Sequence, residues 1–145
     1  MQISFKTLLT GCHYRGHHMT LEYILPISVT MPRKRQSDKK IMLNLNWYRN
    51  AHYQSLSAAK RLFAPISGKG FSANKIRISY HLEKTTKRRI DTNNVVSIVD
   101  KFFCDWLVNN GRLIDDNCDI VSYGYIDGCN GCKESRVIAK IEILE

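Results

Sequence analysis

The chain has 145 residues, enough for one domain with a single core and too few for two ordinary ones. It carries 22 Lys and Arg against 13 Asp and Glu, a net charge of +9, so a polyanion is the favoured partner class and nucleic acid comes before a membrane surface. No apolar run of ~18 residues exists to cross a bilayer, and five scattered cysteines exclude a disulfide framework, which predicts reduced thiols in a cytoplasmic protein.

Residues 1–18, with Cys12, His13, His17 and His18, read as an N-terminal extension without an assigned role, ahead of a single domain over residues 19–145. From Leu21 to Met31, apolar and β-branched residues predict a strand, and Pro26 marks an edge position or a bulge. Pro32 to Lys40 is rich in Lys and Arg and lacks hydrophobic periodicity, which predicts an exposed basic loop. Arg33, Lys34 and Arg35 are its candidate phosphate contacts, with a solvated linker as the alternative. Between Asn46 and Phe63, the spacing of Trp47, Ala51, Leu56, Ala59 and Leu62 predicts one helix, closed by Pro65 and Gly68. Arg49, Asn50, His52 and Lys60 lie on its opposite side. Asn74 to Glu83 alternates Ile76, Ile78 and Tyr80 against Lys75, Arg77 and Ser79, the two-residue period of a strand with one solvated face.

Asn93 or Asn94 is placed to cap a second helix, in which Val95, Ile98, Val99, Phe102 and Trp106 form one stripe and Gly111 ends the run. Cys104 is expected in the core. Phe103 and Leu107 fall off the stripe, so they are expected to be exposed in one chain and covered in a two-fold homodimer. After Asp115 and Asp116, the runs Ile120 to Tyr125 and Val137 to Ile143 predict a terminal hairpin joined by a Gly-rich turn. The fold class is therefore α+β: a small mixed sheet with two main helices packed on it, in the order β-α-β-α-β-β.

The chemistry concentrates around Lys87-Arg88-Arg89-Ile90-Asp91-Thr92-Asn93-Asn94 and Asp115-Asp116. A hard cation such as magnesium needs oxygen ligands, and a phosphodiester needs cations to hold it. Asp91, Asp115 and Asp116 offer carboxylates, and Arg88 and Arg89 offer fixed positive charge; the plainer alternative is solvated turn residues. Trp47, Tyr48, His52 and Tyr53 interleave with Arg49 and Asn50, a pattern suited to stacking on unpaired bases. Cys129-Asn130-Gly131-Cys132 has the spacing of half a zinc site, and Cys118, Cys12 and His13 are the candidates to complete it. An ordinary hairpin tip is the alternative.

The run Arg89-Ile90-Asp91-Thr92-Asn93-Asn94, a helix carrying Lys101 and Asp105, and Gly111-Arg-Leu-Ile-Asp115-Asp116 together resemble the RusA-type Holliday-junction resolvases. The motif of that family is Asp-x-Asp-Asn, a Lys and an Asp one turn later, then a Gly followed shortly by Asp-Asp. The likeness covers about residues 21 to 145. Asn44, Asn46, Tyr48, Arg49 and Asn50 resemble the substrate-binding Asn, Tyr and Arg cluster of the family. The resemblance implies a magnesium-dependent endodeoxyribonuclease that resolves four-way junction DNA in recombination and repair. Asp91 and Asp116 would be principal metal ligands, Asn93 and Asp115 supporting ones, and Arg88, Arg89 and Lys101 would hold phosphates, Lys101 within the catalytic set. Lys60 joins the DNA-facing group.

Two departures stand out. Asn93 replaces a second Asp of the motif, leaving a carbonyl oxygen where the family has a carboxylate. Counting forward from Asp91 puts Ser97 at the Lys position, whereas counting back from Asp105 puts Lys101 there, so the helix carries about one extra turn. A helix from Asn93 to Asn109 would be ~25 Å long. The connection to Asp116 spans at most ~20 Å. Asp91 and Asp116 therefore meet in one chain only if the helix is shorter or the loop runs straight back; otherwise they meet across a two-fold axis. Two other classes remain open: a junction-binding protein without cleavage, and a small zinc-stabilised regulator.

Overall fold

The computed structural model describes residues 19–66, 70–87 and 91–145. In chain order these form β1 (Met19–Leu25), β2 (Ser28–Arg33), β3 (Gln36–Met42), α1 (Leu45–Asn50), α2 (Tyr53–Phe63), β4 (Ile76–Glu83), α3 (Thr92–Asn109), β5 (Val121–Cys129) and β6 (Arg136–Ile143). The class is α+β, as the patterning predicts. The predicted extension over residues 1–18 lies outside the described residues.

One four-stranded sheet has the order β1-β6-β4-β5, and β2 and β3 pair separately. β6 runs antiparallel to both β1 and β4, while β4 and β5 are parallel. The sheet is thus mixed. The expected terminal hairpin is not formed, because β4 inserts between β5 and β6 and pairs with each. A parallel pair needs a crossover rather than a tight turn, and α3 supplies it between β4 and β5.

Three further expectations change. The strand foreseen from Leu21 to Met31 is two strands, broken at Pro26, which cannot donate to a ladder. The basic segment 32–40 is exposed, but it is a hairpin rather than a loop: β2 and β3 pair around a turn at Lys34 and Arg35, with Arg35 in the left-handed region at φ 62°. The single helix foreseen over 46–63 divides into α1 and α2, with Ala51 and His52 extended between them. The Asn50 side chain donates to the Asn46 carbonyl at 3.0 Å. That carbonyl would otherwise accept only the helical bond, and such local competition favours helix termination.

α3 is buried along two faces. Phe102 packs against Trp47, Tyr48 and Phe63 of the other helices, with ring centroids 6.4, 6.4 and 5.6 Å away. Phe103 and Trp106 meet Tyr23 of β1 at 5.5 and 5.8 Å. Consecutive positions on a helix are ~100° apart, so Phe102 and Phe103 address different layers. The expectation that Phe103 and Leu107 are exposed in one chain is therefore wrong: both are 0% exposed. The stripe that carries Phe102 is covered by α1 and α2, and the second face is covered by the sheet. Cys104 is buried as expected.

Replacing Phe103 with Ala removes a fully enclosed ring and is expected to cost ~3–5 kcal/mol of unfolding free energy in a urea titration. The sedimenting mass should stay the same. Loss of a dimer with unchanged chain stability would place Phe103 at an interface instead.

Candidate nucleic-acid and metal-binding residues

Asp91, not Asn93 or Asn94, caps α3. Its carboxylate accepts from the Asn93 N–H at 3.0 Å, and its carbonyl accepts from the Asn94 N–H at 3.2 Å. A carboxylate at this position also meets the positive end of the helix dipole. Asp91, Asn93 and Asn94 are all exposed. Arg88 and Arg89, the predicted phosphate contacts beside them, lie outside the described residues.

At the other end of α3, Gly111 adopts φ 71° and turns the chain. Asp115 then binds its own turn: Oδ1 accepts from the Asp116 N–H at 2.8 Å and Oδ2 from the Asn117 amide at 3.2 Å. These bonds, that of the Asp116 N–H first, hold its carboxyl below the usual range. Asp116 is exposed beside it.

The two ends are far apart. Thr92 sits by Gly128 near the end of β5, where an added Cβ would be 3.5 Å from the Thr92 hydroxyl. Asn117 accepts from Val121 at the start of β5, at 2.9 Å. α3 has 18 residues, roughly 27 Å of axis at ~1.5 Å each, and Thr92 and Asn117 stand by opposite ends of the nine-residue β5. The helix is not shortened, so the carboxylates of Asp91, Asp115 and Asp116 do not gather round one point within the chain. A single magnesium ion does not fit this set in one subunit, since its ligands must stand ~2.1 Å from it.

The other predicted contacts divide. Asn44 is the cap of α1, accepting from the Trp47 N–H at 2.9 Å and donating to the Met42 carbonyl at 3.1 Å. Tyr48 is half-buried on Phe102, and the Lys101 ammonium lies 5.6 Å from the centre of its ring. Asn44 and Tyr48 thus have structural work, whereas Asn46, Arg49 and Asn50 are exposed on α1. Lys60 lines a cleft of ≈ 280 Å³ between α2 and α3, with Asp105 on the opposite wall. Arg33, Lys34 and Arg35 are exposed at the hairpin tip.

A residue absent from the sequence reading joins the layers: Asp100. One oxygen accepts from the Tyr80 hydroxyl and, at 3.3 Å, from the Cys104 thiol; the other accepts from the Tyr123 hydroxyl at 2.7 Å. α3 is thereby tied to β4 and β5 through one carboxylate. Burial, followed by Asp100, pushes the Tyr80 phenol well above its ordinary range; burial and then the Asp100 hydrogen bond do the same for Tyr123. Burial also raises the Cys104 thiol. No spacing rule marks an Asp on an otherwise apolar stretch of helix, but strand positions 80 and 123 carrying Tyr supply the matching donors.

No protein-family model matches the chain, and no curated protein matches it.

A folded Tyr pKa above the unfolded value of ~10 means that the folded state holds the proton more tightly. The resulting stability is fully present below pH ~10 and is lost as pH rises from there through the folded value. The urea midpoint should therefore fall on the alkaline side of pH ~10. Tyr80→Phe should flatten that fall while lowering stability at neutral pH by about 1.5–3 kcal/mol, the range for a hydrogen bond to a charged group. An alkaline limb of unchanged steepness would mean that Tyr80 does not carry it.

Proposed function

We propose that the protein is a cytoplasmic, magnesium-dependent, structure-selective endodeoxyribonuclease that resolves four-way DNA junctions as a two-fold homodimer. The observation that carries this reading is the exposure of Asp91, Asp115 and Asp116 in a chain of net charge +9. Among the described residues, no ion pair engages any of the three. Exposed carboxylates that hold no basic side chain keep oxygen lone pairs for a cation beside their hydrogen bonds, while the excess of Lys and Arg draws in a polyanion. The motif order around Asp91 and Asp116 adds the resemblance to junction resolvases.

Since one chain keeps its acidic groups at opposite ends of α3, the proposed metal site needs two chains. Asp91 and Asn93 would face Asp115 and Asp116 of the partner subunit, and two-fold symmetry would then create two equivalent sites for two opposed strands. The hairpin tip with Arg33, Lys34 and Arg35 would grip a duplex arm through its phosphates. Arg49 and Asn50 on α1, and Arg88 and Arg89 ahead of Asp91, would extend that contact, with Lys101 beside Tyr48.

A second reading, a junction-binding protein without cleavage, is favoured by the use of Asp91 as a helix cap and by Asn93 in place of a carboxylate. Incubation with a four-way junction and a linear duplex, with and without magnesium, separates the two. Cleavage confined to the junction with magnesium supports the nuclease; tight binding without cleavage supports the second reading.

The two-chain site makes a sharper forecast. Asp91→Asn and Asp116→Asn should each abolish cleavage while sparing binding. Mixed and allowed to exchange, the two inactive variants should regain about a quarter of the normal sites, because each mixed dimer carries one intact site. If both acidic groups served one chain, mixing would restore nothing.

Neutralising Arg33, Lys34 and Arg35 together should weaken junction binding and lower the slope of log affinity against log salt by roughly 2–3. An unaltered slope would make the hairpin a bystander.

A further inference from the structure

The β4–β5 ladder brings together side chains that the proposed nuclease does not use. Its register sets His81 opposite Asp127 and Glu83 opposite Cys129. On β4, Ile76, Ile78, Tyr80 and Leu82 are buried, so His81 and Glu83, of the opposite parity, share the other face of the sheet. There the ligand atoms of His81, Glu83 and Cys129 all lie within 4.8 Å of one another. Against the expectation of reduced thiols, Cys132 is joined to Cys129 by a disulfide, with their Cα atoms 6.9 Å apart.

We propose that, when Cys129 and Cys132 are reduced, these two cysteines, His81 and Glu83 form a four-ligand zinc site at the end of the sheet. The donor set, two thiolates, an imidazole and a carboxylate, is the chemistry that zinc takes and magnesium does not. Around a tetrahedral zinc the donor atoms stand roughly 3.3–3.8 Å apart, given metal–ligand distances of about 2.0–2.3 Å. From the observed grouping His81, Glu83 and Cys129 need only a small inward movement, while the two sulfurs, released from their disulfide by reduction, move apart.

The surroundings are built in the manner of a metal site. The His81 Nδ1 pairs with the Asp127 carboxylate at 2.6 Å, leaving Nε2 on the side of Glu83, whose Oε2 is 4.0 Å from it. A carboxylate on the far nitrogen fixes the tautomer and orientation of a ligating imidazole. Glu83 divides its oxygens likewise: Oε1 accepts from Arg136 at 2.6 Å, while Oε2 turns to His81. The cysteine loop is held by backbone bonds, Lys84 N–H to the Cys129 carbonyl at 3.1 Å and Cys132 N–H to the Lys84 carbonyl at 2.8 Å. Gly131 takes φ 68° between the two sulfurs, as a tight turn requires. An open cleft of ≈ 300 Å³ bordered by Glu83 and Cys132 gives an ion access.

This set replaces the partners suggested by sequence. Cys118 is in the turn that leads into the start of β5, at the opposite end of that strand, and Cys12 and His13 lie outside the described residues. A bound zinc would fasten the end of β4, and with it the segment that leads to Asp91, to the β5–β6 connection.

The test uses the full chain, reduced with a phosphine, freed of metal by a chelator and titrated with cobalt(II). One cobalt per chain should bind with thiolate-to-cobalt charge-transfer absorption and intense visible bands of tetrahedral geometry, and zinc should displace it. Cys129→Ser, Cys132→Ser and His81→Ala should each abolish the charge-transfer spectrum or its tetrahedral form, whereas Cys118→Ser and Asp91→Asn should leave it intact. Asp127→Asn should weaken binding by about 10–100-fold. As a check that needs no variant, chelator should lower the melting temperature of the reduced, zinc-loaded protein, because metal affinity is part of its folding free energy. No charge-transfer absorption, or melting indifferent to zinc and chelator, overturns the proposal. Either result leaves junction cleavage, read separately, untouched.

Discussion

A helix enclosed on two sides has no freedom of axis, and α3 is such a helix. Phe102 is locked between the rings of α1 and α2, and Phe103 and Trp106 are locked against Tyr23 of the sheet. Between them these rings exclude water from both layers, so shifting α3 by one residue would expose large apolar area on both faces. Burying such a ring stabilises by roughly 1.5–3 kcal/mol, and interiors do not tolerate voids of that size. The position of α3 fixes where its two ends emerge, and those ends carry Asp91 and the Asp115–Asp116 turn.

Apolar packing alone leaves a helix able to rotate or slide among similar contacts. Asp100 adds a directional constraint. Its two oxygens can reach the hydroxyls of Tyr80 and Tyr123 only when α3 stands in one register over β4 and β5. A half-buried carboxylate is costly unless satisfied, and here two phenols and a thiol satisfy it. The bulge in β5 falls after Tyr123, which pairs with the buried Ile78 and so stands on the helix side, and it sets Tyr80 opposite Ile126. It also lets Gly124 approach Ser79, where a Cβ would stand 2.2 Å from the Ser79 hydroxyl.

The two faces of the sheet have different work. The inner one is filled by Ile76, Ile78, Tyr80 and Leu82 of β4 with Val137, Ala139 and Ile141 of β6. The outer one has ion pairs of Arg77 with Glu142 and Glu83 with Arg136, and a hydrogen bond between His81 and Asp127. His81, Asp127, Glu83 and Arg136 cluster beside the two cysteines, whereas Arg77 and Glu142 stand toward the other end of β4. Parallel pairing of β4 and β5 puts that cluster at the same end of the sheet as Asp91, and the opposite end carries Asp115 and Asp116. Any site that joins these acidic groups therefore has to be completed from outside the chain.

The amino-acid sequence by itself determined what depends on near neighbours along the chain: the basic balance, the period of β4, the span of α3 from its apolar repeat, and the exposure of the Lys34–Arg35 segment. Tertiary structure decided what depends on distant partners. The repeat in α3 showed one apolar stripe, yet whether Phe103 was surface or core rested on a sheet built from segments over 70 residues of sequence away in places, such as Tyr23. The pairing of β6 with β4 rather than with β5 was illegible because alternation reports which face is buried and not which strand lies alongside. Helix capping by Asp91 rather than Asn93 was a contest among three good caps that differ by tenths of a kcal/mol. The grouping of His81 and Glu83 with Cys129 likewise arose only once a parallel register had set two strands side by side, since ligand geometry is a property of the ladder and not of spacing along the chain.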